Sequence, residues 1–324
     1  MKDSHFIYRV IEMYYDRHMS QAEIAKYFNV SRMTISRTID KAKEERYVQV
    51  QINRPEEIEL CKESQIEKKY GLNEVIIIYK YEGVDYRQQA AYHTADFLLR
   101  SLHDDMTIAF GRGRTLRSMV DYIQQDARLN FKKFKGLKLV PLTAPTNFPP
   151  SKGAEYRFAY TNYLIDQIAS ILNGDAYRLL APLHVSSKEV RDLFLAEPSI
   201  KEIFELTAQA DLAIAGIGTF DKDSNTLLNP SLSKKDVDEI LNSPAVGELL
   251  GHVLDKNGNI LPLGREDKTI TLPMDDFIKI PVRVGVATGI EKKQAIQSVL
   301  NGKLINVLIT DEEVADYLIA QKEL

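Results

Sequence analysis

Residues 19–50 read MSQAEIAKYFNVSRMTISRTIDKAKEERYVQV, a stretch with the signals of two consecutive helices joined by a tight turn. Ser20 is followed three residues later by Glu23, which is the spacing of a capping box at a helix start. Asn29 readily adopts the left-handed conformation that ends a helix, and Ser31 is a suitable cap for the next one. Apolar residues recur at helical spacing on one face of each predicted helix: Ile24, Ala25 and Phe28, then Ile35, Ile39 and Ala42. The stretch therefore predicts a helix-turn-helix.

The polar face of the second helix indicates what it binds. Short hydroxyl side chains and arginines at the front of a helix suit the major groove of DNA, where arginine reads guanine and hydroxyl groups reach phosphates. The alternative is an ordinary helical hairpin with a solvated face, but caps, turn and polar face agree over the whole stretch. We expect double-stranded operator DNA as the partner, contacted by Ser20, Gln21, Ser31, Arg32, Thr34, Ser36, Arg37 and Lys41.

Charge is distributed unevenly along the chain of 324 residues, whose formal net charge is −4. Residues 1–54 carry 10 Lys and Arg against 7 Asp and Glu, a balance of +3. The remainder carries 32 against 39, a balance of −7. A basic head on an acidic body is typical of a local nucleic-acid contact, although solubility is the commoner explanation of an acidic body.

Several protein classes are disfavoured by composition. No run of 18 apolar residues occurs, and the N-terminus lacks the apolar segment of a signal peptide. The single cysteine, Cys61, excludes an internal disulfide and a Cys-rich metal site, and the six histidines show no H-x-x-x-H spacing. We expect a cytoplasmic protein with no membrane contact, no metal and no cofactor.

Three segments are predicted. Residues 1–54 form the helix-turn-helix domain, in which a helix over 4–17 covers the apolar face and Val48–Ile52 forms a short strand. Residues 55–70 form a charged linker helix whose apolar stripe is too thin for it to be stable alone, so that it packs against a partner chain or the following domain. Residues 71–324 form one large effector and oligomerisation domain.

That large domain alternates strand and helix signals, which predicts an open, doubly wound α/β fold with a Rossmann-like parallel sheet. The strands are expected at Glu74–Tyr79, Thr107–Phe110, Leu137–Pro141, Tyr177–Ala181, Leu212–Ile217, Val282–Ala287 and Ile305–Thr310. Because their apolar runs are continuous, the sheet should be covered on both faces. A hairpin is expected around Asn257-Gly258, between Gly251–Leu254 and Ile260–Pro262.

Two glycine-rich loops follow predicted strands, and they are the candidate ligand site. The first is Gly111-Arg112-Gly113-Arg114-Thr115, which leads directly into a helix, and the second is Gly216-Ile217-Gly218-Thr219. Glycines let backbone N–H groups approach an anion, and a helix N-terminus adds partial positive charge. Neither loop is a Walker loop or a complete G-x-G-x-x-G, so each alone is weak evidence for a phosphate site. Together they favour a phosphorylated or polyhydroxylated small ligand.

The chain resembles the SorC-type sugar-sensing transcriptional regulators over essentially its whole length. The likeness is carried by MSQAEIA and VSRMTISR, then by AFGRGRTL, LAEPSI, AIAGIGT, VGELLGHVLD and the run GVATGIEKKQAIQSVLNGKLINVLITDE. It implies an effector domain similar to sugar-phosphate isomerases and deaminases, which binds a phosphorylated sugar or polyol, and a homo-oligomer that is usually a tetramer.

The resemblance also implies site residues. Gly111, Arg112, Gly113 and Thr115 match the first loop of the family, and Gly216, Gly218 and Thr219 match the second. Glu248 stands at an acidic position suited to sugar hydroxyls, where the alternative is a surface glutamate. Lys292 is suited to a phosphate. Arg178 and His184 match polar pocket positions, although His184 could equally be a structural histidine.

One loop departs from the family pattern. After Val140-Pro141, many members have a Gly-Gly phosphate loop, whereas this chain reads LTAPTNFPPSKG at 142–153. Proline has no N–H to donate and alanine lacks the freedom of glycine. We therefore expect side chains to contact the effector here instead: Thr143, Thr146, Asn147 or Lys152. The same departure leaves open an effector without a phosphate.

Two function classes follow from these observations. The first is a regulator of a carbohydrate operon that is switched by its effector and contacts RNA polymerase if it activates transcription. The second is a sugar-phosphate isomerase or deaminase with a DNA-binding appendage. Proton transfer between sugar carbons needs a positioned acid–base pair, and the sequence offers Glu248 as a lone candidate. The sequence therefore favours the regulator and predicts no catalytic residue.

Overall fold

The computed structural model describes residues 2–44, 47–48, 57–80, 85–130, 133–146, 160–220, 224, 226–227 and 232–321. The chain forms two compact units, Met1–Glu56 and Glu57–Leu324. The predicted boundary at residues 54 and 55 lies outside the described residues, as does most of the predicted strand Val48–Ile52.

The described part of the first unit, residues 2–44 and 47–48, contains three α-helices. Helix α1 (Lys2–Ile11) continues through a π-helical turn, Glu12–Asp16, and is followed by α2 (Gln21–Phe28) and α3 (Arg32–Glu44). The predicted capping box is present, since the backbone N–H of Glu23 donates to Ser20 Oγ and the backbone N–H of Ser20 donates to Glu23 Oε2. Asn29 ends α2 with φ 53°, as predicted. The predicted apolar faces meet in a core of Val10, Met13, Ile24, Ala25, Ile35 and Ile39.

The helix predicted as a linker, α4 (Glu57–Tyr70), lies in the second unit. Its Ile66 is buried in that unit's core. Glu63 and Glu67 accept hydrogen bonds from the backbone N–H groups of Ile77 and Val75, at 3.0 and 2.9 Å. These N–H groups belong to the first strand, which lies at the sheet edge, so α4 covers an edge that would otherwise be open for pairing.

The second unit is a parallel sheet with helices on both faces, which confirms the predicted fold class. The strands are β1 (Glu74–Ile78), β2 (Thr107–Phe110), β3 (Lys138–Pro141), β4 (Asp175–Ala176), β5 (Leu212–Gly218), β6 (Gly247–Leu249), β7 (His252–Leu254), β8 (Val282–Val286) and β9 (Val307–Asp311). The parallel order is β1-β9-β8-β5-β2-β3-β4, and β6 adds antiparallel to the end of β5 and pairs with β7.

The helices of this unit divide between the two faces. Besides α4, those of the described residues are α5 (Tyr86–Ser101), α6 (Arg114–Gln125), α7 (Thr161–Leu172), α8 (Lys188–Ala196), α9 (Pro198–Ala208), α10 (Lys234–Leu241), α11 (Met274–Phe277), α12 (Lys293–Asn301) and α13 (Glu312–Ala320). One apolar cluster contains residues of α5, α6 and α7. The other contains residues of α4, α9, α12 and α13. Alternate strand residues point to opposite clusters, as Ile108 and Ala109 do, which explains the continuous apolar runs.

One local prediction was wrong. The strand predicted at Tyr177–Ala181 is β4 at Asp175–Ala176, because Leu179 and Ala181 are buried by packing rather than by strand pairing.

The predicted turn at Asn257-Gly258 is present. Leu254 and Ile260 form an antiparallel bridge, and the backbone N–H of Leu261 donates to the carbonyl oxygen of Val253 at 2.9 Å. A second hairpin, which the sequence did not predict, joins β6 to β7 and turns at Leu250-Gly251, where both residues have positive φ, 55° and 86°.

Candidate functional site

The strand order reverses direction between β2 and β5, since β3 and β4 follow on one side and β8 and β9 on the other. In open α/β sheets, ligands bind at such a point, past the carboxyl ends of the strands. A cavity of about 580 Å³ lies there. Ten of the predicted effector residues line it: Gly111, Arg112, Gly113, Thr115, Thr143, Gly216, Gly218, Thr219, Glu248 and Lys292.

The first glycine loop connects β2 to α6. Gly111 lies so close to β5 that a Cβ atom there would be 3.3 Å from the Cα atom of Ala215. Gly113 has φ 152° and is the cap residue of α6, and as a glycine it has no side chain with which to cap the helix. The N–H groups of the first turn of α6 therefore receive no capping bond from this residue and suit an anion.

The second glycine loop, at the end of β5, holds Glu248 in place. Strand β6 pairs with β5 in a register that sets Gly218 against Glu248. A Cβ atom on Gly218 would lie 2.7 Å from Glu248 Cγ. Only glycine leaves room there for the glutamate side chain, so the loop sequence and the carboxylate position depend on each other.

Glu248 forms an ion pair inside the cavity. Its Oε1 lies 3.5 Å from Arg112 Nη2, and the side chains are 10% and 12% exposed. Arg112 also donates to Thr146 Oγ1 at 3.0 Å and to Thr226 Oγ1 at 3.4 Å. Glu248 Oε2 is buried and has no hydrogen-bond partner among the described residues. A ligand hydroxyl would satisfy this oxygen.

Lys292 follows β8 and also lines the cavity. It ends a short 3₁₀ turn, Ile290–Lys292, and is the cap residue of α12. Its Nζ donates to the carbonyl oxygen of Ile217 at 3.3 Å, which holds the ammonium group beside the second glycine loop. Ammonium and loop backbone therefore meet in the lining of the cavity.

The other predicted effector residues lie elsewhere. Thr146 is buried and contacts Arg112 without lining the cavity. Arg178 faces solvent, where its Nε donates to Asp166 Oδ1 at 2.8 Å and this pairing raises the pKa of Arg178. His184 is buried, with Nδ1 3.1 Å from Thr269 Oγ1. Asn147 and Lys152 fall outside the described residues.

A second buried arginine, Arg265, lies close enough to Glu248 and Arg112 to interact with their charges. Arg265 is 2% exposed, and its three guanidinium nitrogens have no hydrogen-bond partner among the described residues. Burial lowers the pKa of Arg265, while the charge of Glu248 opposes that shift. Glu248 thus compensates two guanidinium groups, those of Arg112 and Arg265. This arrangement is not apparent from the sequence.

Sequence reasoning missed one wall of the cavity, formed by Asp85, Tyr86 and Arg87 at the start of α5. Asp85 caps this helix by accepting from the backbone N–H of Arg87 at 3.0 Å. A signal was available, because α5 follows β1 and the loop after a parallel strand lies at the carboxyl edge of the sheet. Other unpredicted lining residues are Arg114, Leu116, Ile217, Ser224, Leu250, Gly251, Val286, Thr288, Gly289 and Glu291. No cluster of His, Cys, Asp or Glu suited to a metal ion occurs within the described ranges.

His184 should make the folded protein sensitive to acid. Burial, followed by the charges of Arg265 and Arg112, lowers the pKa of His184 to about 3 from 6.5. Below pH 6.5 the unfolded chain therefore binds a proton that the folded chain does not. The contribution of neutral His184 to the free energy of unfolding is fully present above pH 6.5. It is lost as pH falls toward 3, at ~1.4 kcal/mol per pH unit. We expect a loss of about 2 kcal/mol between pH 7.5 and pH 5.

Urea unfolding at the two pH values measures this loss. In His184→Asn the amide can replace Nδ1. The free energy of unfolding of this variant should fall by about 2 kcal/mol less than that of the wild type between pH 7.5 and pH 5. His103→Asn, at an exposed histidine, serves as the control and should leave the pH dependence unchanged. Identical slopes for the wild type and His184→Asn would contradict the prediction.

In the first unit, six of the predicted DNA-contacting residues lie along α3, from its cap residue Ser31 to Lys41. Ser31, Arg32, Thr34, Arg37 and Lys41 are exposed, and Ser36 is half-buried. Ser31 caps α3, since its Oγ accepts from the backbone N–H of Thr34 at 3.1 Å. On α2, Ser20 is exposed and its hydroxyl takes part in the capping box, while Gln21 is half-buried. No helix of the described residues is long and apolar enough to cross a membrane.

Comparisons with known proteins agree with both units. Residues 56–320 match the family model of a sugar-binding domain, Sugar-bind, and residues 9–44 match region 4 of sigma-70, a helix-turn-helix region. The sorbitol operon regulator of Klebsiella pneumoniae is 25% identical over 98% of both chains. The erythritol catabolism regulatory protein EryD of Brucella abortus is 30% identical over 94% of this chain and 92% of its own.

Solved structures point the same way. The crystal structure of the full-length sorbitol operon regulator SorC from Klebsiella pneumoniae superposes with a TM-score of 0.71 at 26% identity, covering 98% of this chain and 100% of that one. These relatives are named as an operon regulator and a regulatory protein, so the isomerase or deaminase alternative is not supported. The chain belongs to the SorC-type family of sugar-sensing transcriptional regulators, with a DNA-binding helix-turn-helix and a sugar-binding domain.

Proposed function

We propose that this regulator binds a phosphorylated sugar or polyol in the cavity past β2, β5 and β8, and that binding alters its affinity for operator DNA. The observation that supports the proposal is that cationic side chains and backbone N–H groups line the same cavity. Arg114 and Lys292 lie beside two glycine loops and the uncapped N-terminus of α6. Cations and backbone N–H groups of this kind bind phosphate.

Glu248 sets the orientation of the effector. A carboxylate would repel a phosphate placed next to it, so we place the phosphate near Lys292 and the sugar hydroxyls near Glu248 Oε2. Thr143 and Arg112 complete the hydroxyl-binding end. The relatives named for sorbitol, erythritol and deoxyribonucleosides support a sugar or polyol as the ligand class.

The proposed mechanism is linkage between the two sites. If the effector binds one arrangement of the oligomer better than another, it changes operator affinity by the same differential free energy, typically ~1–3 kcal/mol. We propose a homotetramer, in which residues 71–324 carry the effector site and assembly, residues 55–70 connect, and residues 1–54 bind DNA. The protein would act in the cytoplasm, where its operator is, and contact RNA polymerase if it activates transcription.

Calorimetry with paired ligands tests the effector class. Sorbitol, erythritol and deoxyribose are each compared with the corresponding phosphate ester, and inorganic phosphate serves as the control. We expect the phosphorylated member of the pair that fits to bind at least tenfold tighter, because charge-assisted hydrogen bonds contribute ~1.5–3 kcal/mol. The same ligand should shift operator binding in an anisotropy titration at fixed salt. Tighter binding of the unphosphorylated member would refute the phosphate proposal and leave sugar sensing intact.

A further inference from the structure

Helix α3 exposes one large apolar side chain on the side that faces away from its own core. Met33 is 62% exposed, whereas Ile35 and Ile39 of the same helix are buried. A single exposed apolar residue on a protein surface is ordinary. The position of Met33 is what distinguishes it, since it is the second residue of α3, within the part of a recognition helix that reaches base edges.

Met33 and Arg37 form one face. They are four residues apart, which sets one above the other on a helix. Each is two residues from buried Ile35, about 200° around the helix axis at 3.6 residues per turn. Thr34 and Lys41 flank this face, and Asp40 lies one turn further along, all of them exposed. The face is therefore polar and mainly cationic, with a single apolar group near its front.

DNA offers few apolar groups to such a face. Base edges in the major groove present hydrogen-bond donors and acceptors, and the C5-methyl group of thymine is the apolar exception. A thioether side chain gains nothing from the polar edges of guanine, cytosine or adenine. It gains from covering a methyl group, by about fourfold in affinity for each methyl group buried.

We propose that Arg37 contacts a guanine of the operator and that Met33 reads the C5-methyl group of a thymine close to it in the same groove. The inference rests on the proposed placement of α3 in the major groove. Four residues of helix rise about 6 Å, and successive base pairs are ~3.4 Å apart. The thymine is therefore about two base pairs from the guanine, on the side of the helix N-terminus.

Thymine-to-uracil exchange tests this inference, because deoxyuridine differs from thymidine only by the missing methyl group. The full-length protein first selects its operator from a random duplex library. Each thymine of that operator is then replaced singly by deoxyuridine, and dissociation constants are measured by anisotropy at fixed salt for the wild type and Met33→Ala. Met33→Gln, of similar length, serves as a second variant, and Tyr8→Ala, at a 61% exposed residue of α1, serves as the control.

We expect one thymine per half-site at which uracil weakens wild-type binding about fourfold. Met33→Ala and Met33→Gln should bind the unmodified operator more weakly and be indifferent to uracil at that position, while Tyr8→Ala keeps the wild-type pattern. Uracil sensitivity that persists in both Met33 variants, or its absence from the wild type, would overturn the inference. Failure of the wild type to select any operator would instead refute DNA binding by this helix.

Discussion

Replacing Lys292 by methionine should weaken binding of the phosphorylated effector by about 10- to 150-fold, because a hydrogen bond to a charged group contributes ~1.5–3 kcal/mol. Lys292 Nζ is held beside the second glycine loop by its bond to the carbonyl oxygen of Ile217. Methionine keeps the length of the side chain and removes the charge. Binding of the matching unphosphorylated sugar should change little, and calorimetry with both ligands measures the difference.

The neighbouring lysine provides a matched control. Lys293 is the first residue of α12, and its Nζ lies 5.0 Å from the centroid of the Tyr317 ring rather than at the cavity. Lys293→Met removes the same charge from the next position and should leave both affinities unchanged. Lys292→Arg keeps the charge and should retain part of the affinity. An equal loss for both ligands in Lys292→Met would show a structural role and contradict phosphate recognition.

The helix-turn-helix could be predicted in detail because its signals are local. A capping box, a left-handed Asn29 and caps at Ser20 and Ser31 involve residues within four positions of each other. The glycine loops were also predictable, since each directly follows a strand of continuous apolar residues. What these loops contact was not, because Gly218 meets Glu248 through the pairing of β5 with β6.

The errors occurred where tertiary contacts override local patterns. The β6–β7 turn carries Leu250 at φ 55°, a conformation that leucine rarely adopts, so the sequence gives no sign of it. Asn257-Gly258 is a clear local turn signal, and the chain does turn there. Arg178 follows Tyr177 in an extended segment and faces solvent, whereas its neighbour Leu179 is buried. Matching Arg178 to a pocket position therefore required knowing which side of that segment faces inward.

Glu248→Gln should lower the free energy of unfolding by about 3 kcal/mol, because removing one partner of a buried ion pair leaves an uncompensated charge. Here two cations lose the charge of Glu248, and Arg265 keeps those of Glu266 and Asp236. Arg112 Nη2 lies 3.5 Å from Glu248 Oε1, and the charge of Glu248 also favours the protonated form of buried Arg265. Urea unfolding at pH 7.5 measures the loss. Lys201→Ala, which breaks an exposed pair with Glu205, should leave the unfolding midpoint unchanged.

Removing Arg112 should cost less stability than removing the charge of Glu248. Arg112→Met removes one cation and leaves Glu248 with the charge of Arg265, so we expect a smaller loss than in Glu248→Gln. In the double variant, the guanidinium group of residue 112 is absent and no longer needs a carboxylate. The loss in free energy of unfolding should therefore be less than the sum of the losses in the two single variants. A double-mutant cycle isolates this coupling. Additive losses would mean that the carboxylate does not stabilise the guanidinium group of Arg112, and would contradict the ion pair as a source of stability.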